Sequence, residues 1–264
     1  MSEALPSLAA AAPIPPGKPR WFHFRWRTLL ILPVVVAILV LVYGPRQHRQ
    51  RQALVGLKQR QAIVRTDPVA VPLLAELAGN EYAQEITEVY LLGPRFNDAD
   101  LAFVAGLGSL QKLEVVGANV SDAGLNHLNG CSGLYTLHLS QTKVTDAGLN
   151  ILSGLPSLGV LSLQGTSISD SGMAQLRSAT QLERLFLDGT QIGDPGMAHL
   201  ASLSGLRELS LNNTLVTDAG LDHLHALQRL EVLRVDGTAV SHQGLARLRE
   251  AIPGCQVLSR GADE

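Results

Sequence analysis

Aspartate recurs in this 264-residue chain at a fixed interval: Asp98, Asp122, Asp146, Asp170, Asp194 and Asp218 stand 24 residues apart. Carboxylates in such number could bind a metal or work as general acid and base. Their even spacing argues for another role, because a group that every repeat carries serves the repeat rather than one centre. Asp194 precedes Pro195, and proline is favoured at the first helical position. The column therefore reads as helix N-caps that accept backbone N–H groups at the positive end of the helix dipole. His127, His199 and His223 form a second column, with His225 beside it. Neighbouring helices lie about 10 Å apart and no Cys or carboxylate set joins these imidazoles, so they read as a solvated helix face and no metal is expected. No nucleophile elbow, phosphate loop or zinc spacing is present, so neither a catalytic residue nor a cofactor is expected.

The residues around each aspartate define the elements that must hold it. Val144-Thr145-Asp146-Ala147-Gly148-Leu149 has counterparts at Val120 to Leu125, Ile168 to Met173, Ile192 to Met197 and Val216 to Leu221. Weaker copies stand at the ends: Phe96 to Leu101 has lost the Gly, and Val240 to Leu245 has lost the Asp. End copies of a stacked array face solvent on one side and must cap the core. Between the hexads runs a second pattern, such as Leu158, Leu161, Leu163 and Leu182, Leu185, Leu187, beginning at Ile86, Val89, Leu91. Its last two members alternate with polar residues, the period-two signature of a half-buried strand. After each hexad the apolar spacing turns helical, as at Leu149, Leu152 and Leu155. Each repeat is thus one strand and one short helix. The recurrent Gly two residues after the Asp costs helix propensity of about 1 kcal/mol relative to Ala, and implies a close backbone approach by the adjacent turn. Cys131 falls in the column of Leu155, Leu203 and Leu227 and reads as a core hydrophobe. Cys255 lies some five repeats away in the C-terminal cap, too far for a disulfide.

The L-x-x-L-x-L strand followed by T-x-V-T-D-A-G-L and a helix resembles the leucine-rich repeat family, in particular its bacterial T-D-A-G-L subtype, over about Ile86 to Val257. The resemblance implies an α/β right-handed solenoid, a horseshoe with a parallel β-sheet on its concave face and short helices outside. One departure stands at the turn. Thr142, Thr166, Thr190, Thr214 and Thr238, with Ala118 in the first full copy, occupy the place of the family's usual Asn or Cys. A hydroxyl there can satisfy loop backbone groups that stacking buries.

Four segments follow in chain order. Residues 1–20 are rich in Pro and Ala and read as a disordered tail. Residues 21–45 read as a single transmembrane anchor built on the apolar run Leu29 to Tyr43, which as a helix spans about 22 Å of the roughly 30 Å hydrocarbon core. Trp21, Phe22, Phe24 and Trp26 supply an interfacial belt and Arg25 and Arg27 can snorkel. This arrangement resembles the N-terminal anchor of some bacterial leucine-rich repeat proteins. Residues 46–85 read as a basic juxtamembrane helix and N-terminal cap. Leu54, Leu57 and Val64 are too sparse there for a core stripe, and the cations either meet lipid phosphates or stay in solvent; Leu73 to Ala78 is the expected capping element. Residues 86–264 hold about seven repeats and a C-terminal cap. Lys18, Arg20, Arg25 and Arg27 balance Arg46, Arg49, Arg51 and Lys58 across the anchor, so the positive-inside rule assigns the repeats to neither side.

Net charge of −2 conceals a division between +9 over residues 1–65 and −11 over the remainder. An acidic solenoid is a poor partner for nucleic acid phosphates. What remains for function is the strand surface. Side chains flanking the buried strand positions form three variable columns, and variation on a fixed scaffold makes a recognition surface. Arg184, Phe186 and Asp188 put a cation, an aromatic ring and a carboxylate on one strand, with Asn212, Arg234 and Asp236 beside them and His138 two strands back. Such a mixture suits a protein or peptide hot spot. The reading is a membrane-anchored, non-catalytic binding module whose lipid contacts are Leu29 to Tyr43 and its basic flanks. Its alternative is a structural spacer or envelope scaffold without a specific ligand. A ubiquitin-ligase adaptor, resembling F-box proteins with similar repeats, fits less well because the anchor occupies the end where an F-box would lie.

Overall fold

The computed structural model describes residues 45–68 and 84–259. The tail, the apolar run Leu29 to Tyr43 and the expected cap at Leu73 to Ala78 lie outside the described residues. Among the described residues no helix is long and apolar enough to cross a membrane.

Helix α1 (residues 45–59) is followed by nine strands that form one sheet in chain order among the described residues. Strand β1 (Ile63–Pro68) pairs antiparallel with β2 (Gln84–Leu92). From β2 onward every pair is parallel: β3 (Lys112–Val116), β4 (Thr136–His138), β5 (Val160–Ser162), β6 (Arg184–Phe186), β7 (Glu208–Ser210), β8 (Val232–Arg234) and β9 (Gln256–Leu258). Cα partners such as Leu137, Leu161, Leu185, Leu209 and Leu233 are 24 residues apart, so the sequence period is the sheet register. Parallel neighbours require a crossover, which most repeats make with one α-turn, such as Asp194–Met197, and a 3-10 turn, such as Ala198–Ser202, and which the last makes with one α-helix, His242–Ala251. The crossover after β4 is 3-10 throughout, Asp146–Gly154. A 3-10 turn rises about 2.0 Å per residue against 1.5 Å for an α-helix, which lets so few residues travel the length of the repeat.

The leucine columns are fully enclosed; Leu161, Leu163, Leu182, Leu185 and Leu187 are all 0% exposed. Each such side chain contributes about 1.5–3 kcal/mol by leaving water, and no repeat could bury its set without neighbours. The threonine column does what its position predicts. Thr142, Thr166, Thr190 and Thr214 are buried and donate to the carbonyl three residues earlier at 2.5–2.7 Å. Cys131 and Cys255 are buried and unbridged.

The aspartate column departs from the N-cap expectation by one residue. The caps are Asn97, Ser121, Thr145, Ser169, Gly193, Thr217 and Ser241, and each Asp is the first helical residue. Its carboxylate reaches instead to the next repeat. Ser121, Thr145, Ser169, Thr217 and Ser241 each donate both backbone N–H, at 2.7–2.8 Å, and side-chain O–H, at 2.6–2.7 Å, to the aspartate 23 positions earlier. Gly193 supplies only its N–H to Asp170, at 2.8 Å. These are charge-assisted bonds, about twice as strong as neutral ones. The glycine column follows from them: a Cβ at Gly124, Gly148, Gly172, Gly196, Gly220 or Gly244 would overlap Oδ1 of the preceding repeat's aspartate. The close approach is therefore to a carboxylate rather than to a turn backbone.

The degenerate end copies fit the same ladder. Among the described residues no repeat precedes the first, and Asp100 stands where later repeats need Gly. It is 1% exposed and accepts Arg60 Nε at 2.6 Å, Arg60 Nη2 at 2.9 Å and the Asn97 N–H at 2.9 Å. At the other end His242 stands where the earlier repeats carry Asp, and among the described residues no further helix lies beyond Ala251 to receive such a carboxylate. Helix α1 closes the N-terminal end, against the expectation that its apolar residues are too sparse for a core. Leu57 and Ala53 are buried, and the packing gap is filled by a polar residue: Gln50 accepts the Ile86 N–H at 2.9 Å and donates to Ser109 Oγ at 2.8 Å. Gly56 lies directly under the Phe103 ring. The edge of β2 is covered by β1.

Candidate functional site

The crossovers cover one face of the sheet, and the other carries the three expected columns. Register pairs Thr136, Val160, Arg184, Glu208 and Val232 in one, and His138, Ser162, Phe186, Ser210 and Arg234 in the next. In the second column large and small residues alternate, and Ser162 and Ser210 are buried between their bulkier neighbours. Phe186 is left half-buried between two serines.

The seven expected site residues share this face, but most of their polar groups are already committed. Asp188 accepts Ser210 Oγ and Gln164 Nε2 at 2.6 Å each, and the Asn212 N–H at 3.3 Å. Asn212 donates to Ser210 Oγ at 3.1 Å and accepts the Asp236 N–H at 2.7 Å. Arg234 is ion-paired with Glu208. At the N-terminal end of the face Lys112 pairs with Glu114 at 2.8 Å and Arg65 with Glu88 at 3.2 Å. Arg184 differs: it is exposed, and among the described residues no carboxylate forms an ion pair with it. His138 lies 3.7 Å from Glu114. Its burial, opposed by Glu114 and assisted by Lys112 and Arg184, lowers its pKa below the ordinary histidine value, which disfavours the charged form. Among the described residues of this face, Arg184 is thus the cation without a carboxylate partner, and it stands beside the Phe186 ring.

An open depression of about 500 Å³ adjoins these residues, reaching from His138 and Ser140 past Gln164 and Asp188 to the strand-end turns. Its margin contains Gln141 and Asn213, which the sequence pattern did not single out. Their signal was available, since every counterpart 24 or 48 residues away, Gly93, Gly117, Gly165, Gly189 and Gly237, is glycine. On the crossover side, among the described residues no three His, Cys, Asp or Glu side chains converge as a metal site would require.

A 24-residue strand and crossover unit, parallel pairing in unbroken order and a leucine core define a leucine-rich-repeat solenoid. Among solved structures the chain is similar to internalin C2 of Listeria monocytogenes, with 24% identity over 74% of this chain and 88% of that one and a TM-score of 0.53. An internalin, InlF, of the same organism aligns at 18% identity over 66% of this chain and 54% of that one, with a TM-score of 0.47. The likeness to internalin C2 shows a shared fold. No protein-family model matches the chain, and no curated protein matches it.

Proposed function

We propose that this protein is a non-catalytic binding module that takes a protein or peptide on the open face of its sheet, the concave side of a right-handed horseshoe. The observation that carries the proposal is the pairing of exposed Arg184, which has no carboxylate partner among the described residues, with half-buried Phe186 on a face where Arg65, Lys112 and Arg234 are each ion-paired. An isolated guanidinium favours a ligand carboxylate, and the adjacent ring supplies apolar area, the combination typical of interface anchors. The expected span at Leu29 to Tyr43, with its basic flanks on lipid phosphates, would tether the module to a membrane. The acidic repeat domain argues against nucleic acid as the ligand.

Panning a library of 12-residue peptides against the full chain in detergent tests the proposal. Enriched peptides should bind saturably to the parent chain, and Arg184→Ala with Phe186→Ala should weaken them tenfold or more. Equal binding to both chains would sink the open-face assignment. Failure to enrich any peptide would favour the spacer reading, for which the internal satisfaction of Asp188, Asn212 and Arg234 speaks.

A further inference from the structure

Three non-glycine residues among those described hold a left-handed backbone: Gln61 at φ 59°, Gln141 at φ 56° and Asn213 at φ 54°. Such conformations are strained for L-residues, less so for Asn than for Gln, and persist where something uses them. Gln61 has a structural use. It ends helix α1, and Arg95 binds its side chain at 3.0 Å and its carbonyl at 2.9 Å. Gln141 and Asn213 have none of this kind: both are exposed, and neither side chain makes a hydrogen bond to a described residue. Both occupy a column that is otherwise glycine, Gly93, Gly117, Gly165, Gly189 and Gly237, all at positive φ.

Their placement is not random along the sheet. They flank two successive glycine turns, Gly165 and Gly189, so that two side-chain amides stand at either end of a stretch of bare backbone. At the strand spacing of about 4.8 Å, three intervals separate the posts by about 14 Å. The polar ends of both posts turn outward, the Gln141 Oε1 toward Gly117 and the Asn213 Oδ1 toward Gly237, while the Gln141 Cγ borders Gly165 and forms that end's wall. His138, Ser140, Gln164 and Asp188 line the inner wall of the same depression.

We infer that this slot is a main-chain recognition site for an extended peptide lying across the strands, with Gln141 and Asn213 as the residues that hold its two ends. The inference rests on the open-face reading above and names the ligand's chemistry there. The slot's one carboxylate is committed, since Asp188 already holds three donors, and burial disfavours the charged form of His138. Its remaining side chains are Val116, the Ser140 hydroxyl and the carboxamides of Gln141, Gln164 and Asn213. A carboxamide offers both donor and acceptor, the complement of a peptide unit's C=O and N–H. The glycine floor admits close approach of another backbone. A span of about 14 Å matches about four residues of extended chain at 3.3–3.4 Å each. No Phe, Tyr or Trp ring lines the slot on which a sugar face would stack.

The test exploits opposite signs. Gln141→Gly with Asn213→Gly removes strain, so the melting temperature of the full chain should rise by about 2–4 °C or more. The same variant should bind the library-selected peptides at least tenfold more weakly, while an Asn129→Gly control on the crossover side binds as the parent does. A rise in stability with unchanged peptide binding, for peptides that still require Arg184 and Phe186, would overturn the slot and leave the open-face reading standing. Peptide binding indifferent to all four residues would overturn both. A glycan-array signal that depends on Gln141 and Asn213, with no enriched peptide, would overturn the peptide assignment in favour of a saccharide.

Discussion

Gly220→Ala is the substitution on which the aspartate ladder makes its least ordinary demand. In an exposed helix this change is stabilising by about 1 kcal/mol. Here the new methyl would overlap Asp194 Oδ1, with Val216 Cγ1 at 2.9 Å and Met197 Cγ at 3.2 Å closing the other sides. Overpacking of this kind costs about 1–3 kcal/mol. Moving the carboxylate aside also weakens two charge-assisted bonds, from the Thr217 N–H at 2.8 Å and Oγ1–H at 2.6 Å, each worth about 1.5–3 kcal/mol when well formed. After the propensity gain, a net loss of about 2–4 kcal/mol remains. Chemical denaturation of the full chain in detergent, followed by circular dichroism, measures it. The decisive comparison is a double-mutant cycle with Asp194→Ala, which removes the obstructing oxygen in advance. The cost of Gly220→Ala should then fall by about 2 kcal/mol, leaving the smaller contacts with Val216 and Met197. A stabilising Gly220→Ala, or a cost unchanged by Asp194→Ala, would refute the ladder as the reason for the glycine column.

The remaining predictions concern the same framework. Gly193→Thr should stabilise by about 1–2 kcal/mol, raising the melting temperature by roughly 2–6 °C, because the backbone there is extended (φ −121°), a Cβ meets neighbours only at 3.7–3.8 Å, and the hydroxyl gains Asp170. Pro195 explains why glycine is tolerated, since it lacks the N–H that a cap hydroxyl would otherwise satisfy. Hydrogen bonds from Ser241 lower the Asp218 pKa below its ordinary value. Its contribution to stability is therefore present above the unfolded carboxylate pKa and lost as pH falls through the folded one; Asp218→Asn should flatten the acid limb of the stability profile below about pH 4. Burial raises the Cys131 thiol pKa, and raises that of Cys255 to about 11. Both thiols should resist a disulfide reagent at pH 8 in the folded chain and react on unfolding.

The fold was legible wherever one residue type carried one job at one spacing. Leu185 and Thr190 are examples, each fixed by its own column and confirmed by its burial. Legibility failed where a residue's partner lay in another repeat. Asp194 sits beside Pro195 and looks like a cap of its own helix, yet its bonds go to Thr217, 23 residues on. Helix α1 was obscured for a related reason: its packing depends on Gln50, a polar residue whose burial is possible only because the Ile86 N–H and Ser109 Oγ meet it. The site divided the same way. The columns holding Arg184, Phe186 and His138 followed from strand alternation, whereas the neutralisation of Arg234 by Glu208 needed the register between β7 and β8. Gln141 and Asn213 were visible as breaks in a glycine column, but their meaning depends on the backbone angle that the column imposes.

Photo-crosslinking tests the central claim most directly. A benzophenone side chain placed at Phe186 should capture a library-selected peptide in proportion to its occupancy, and the same group at His199, on the crossover side, should not. Capture at His199 with none at Phe186 would contradict recognition by the open face.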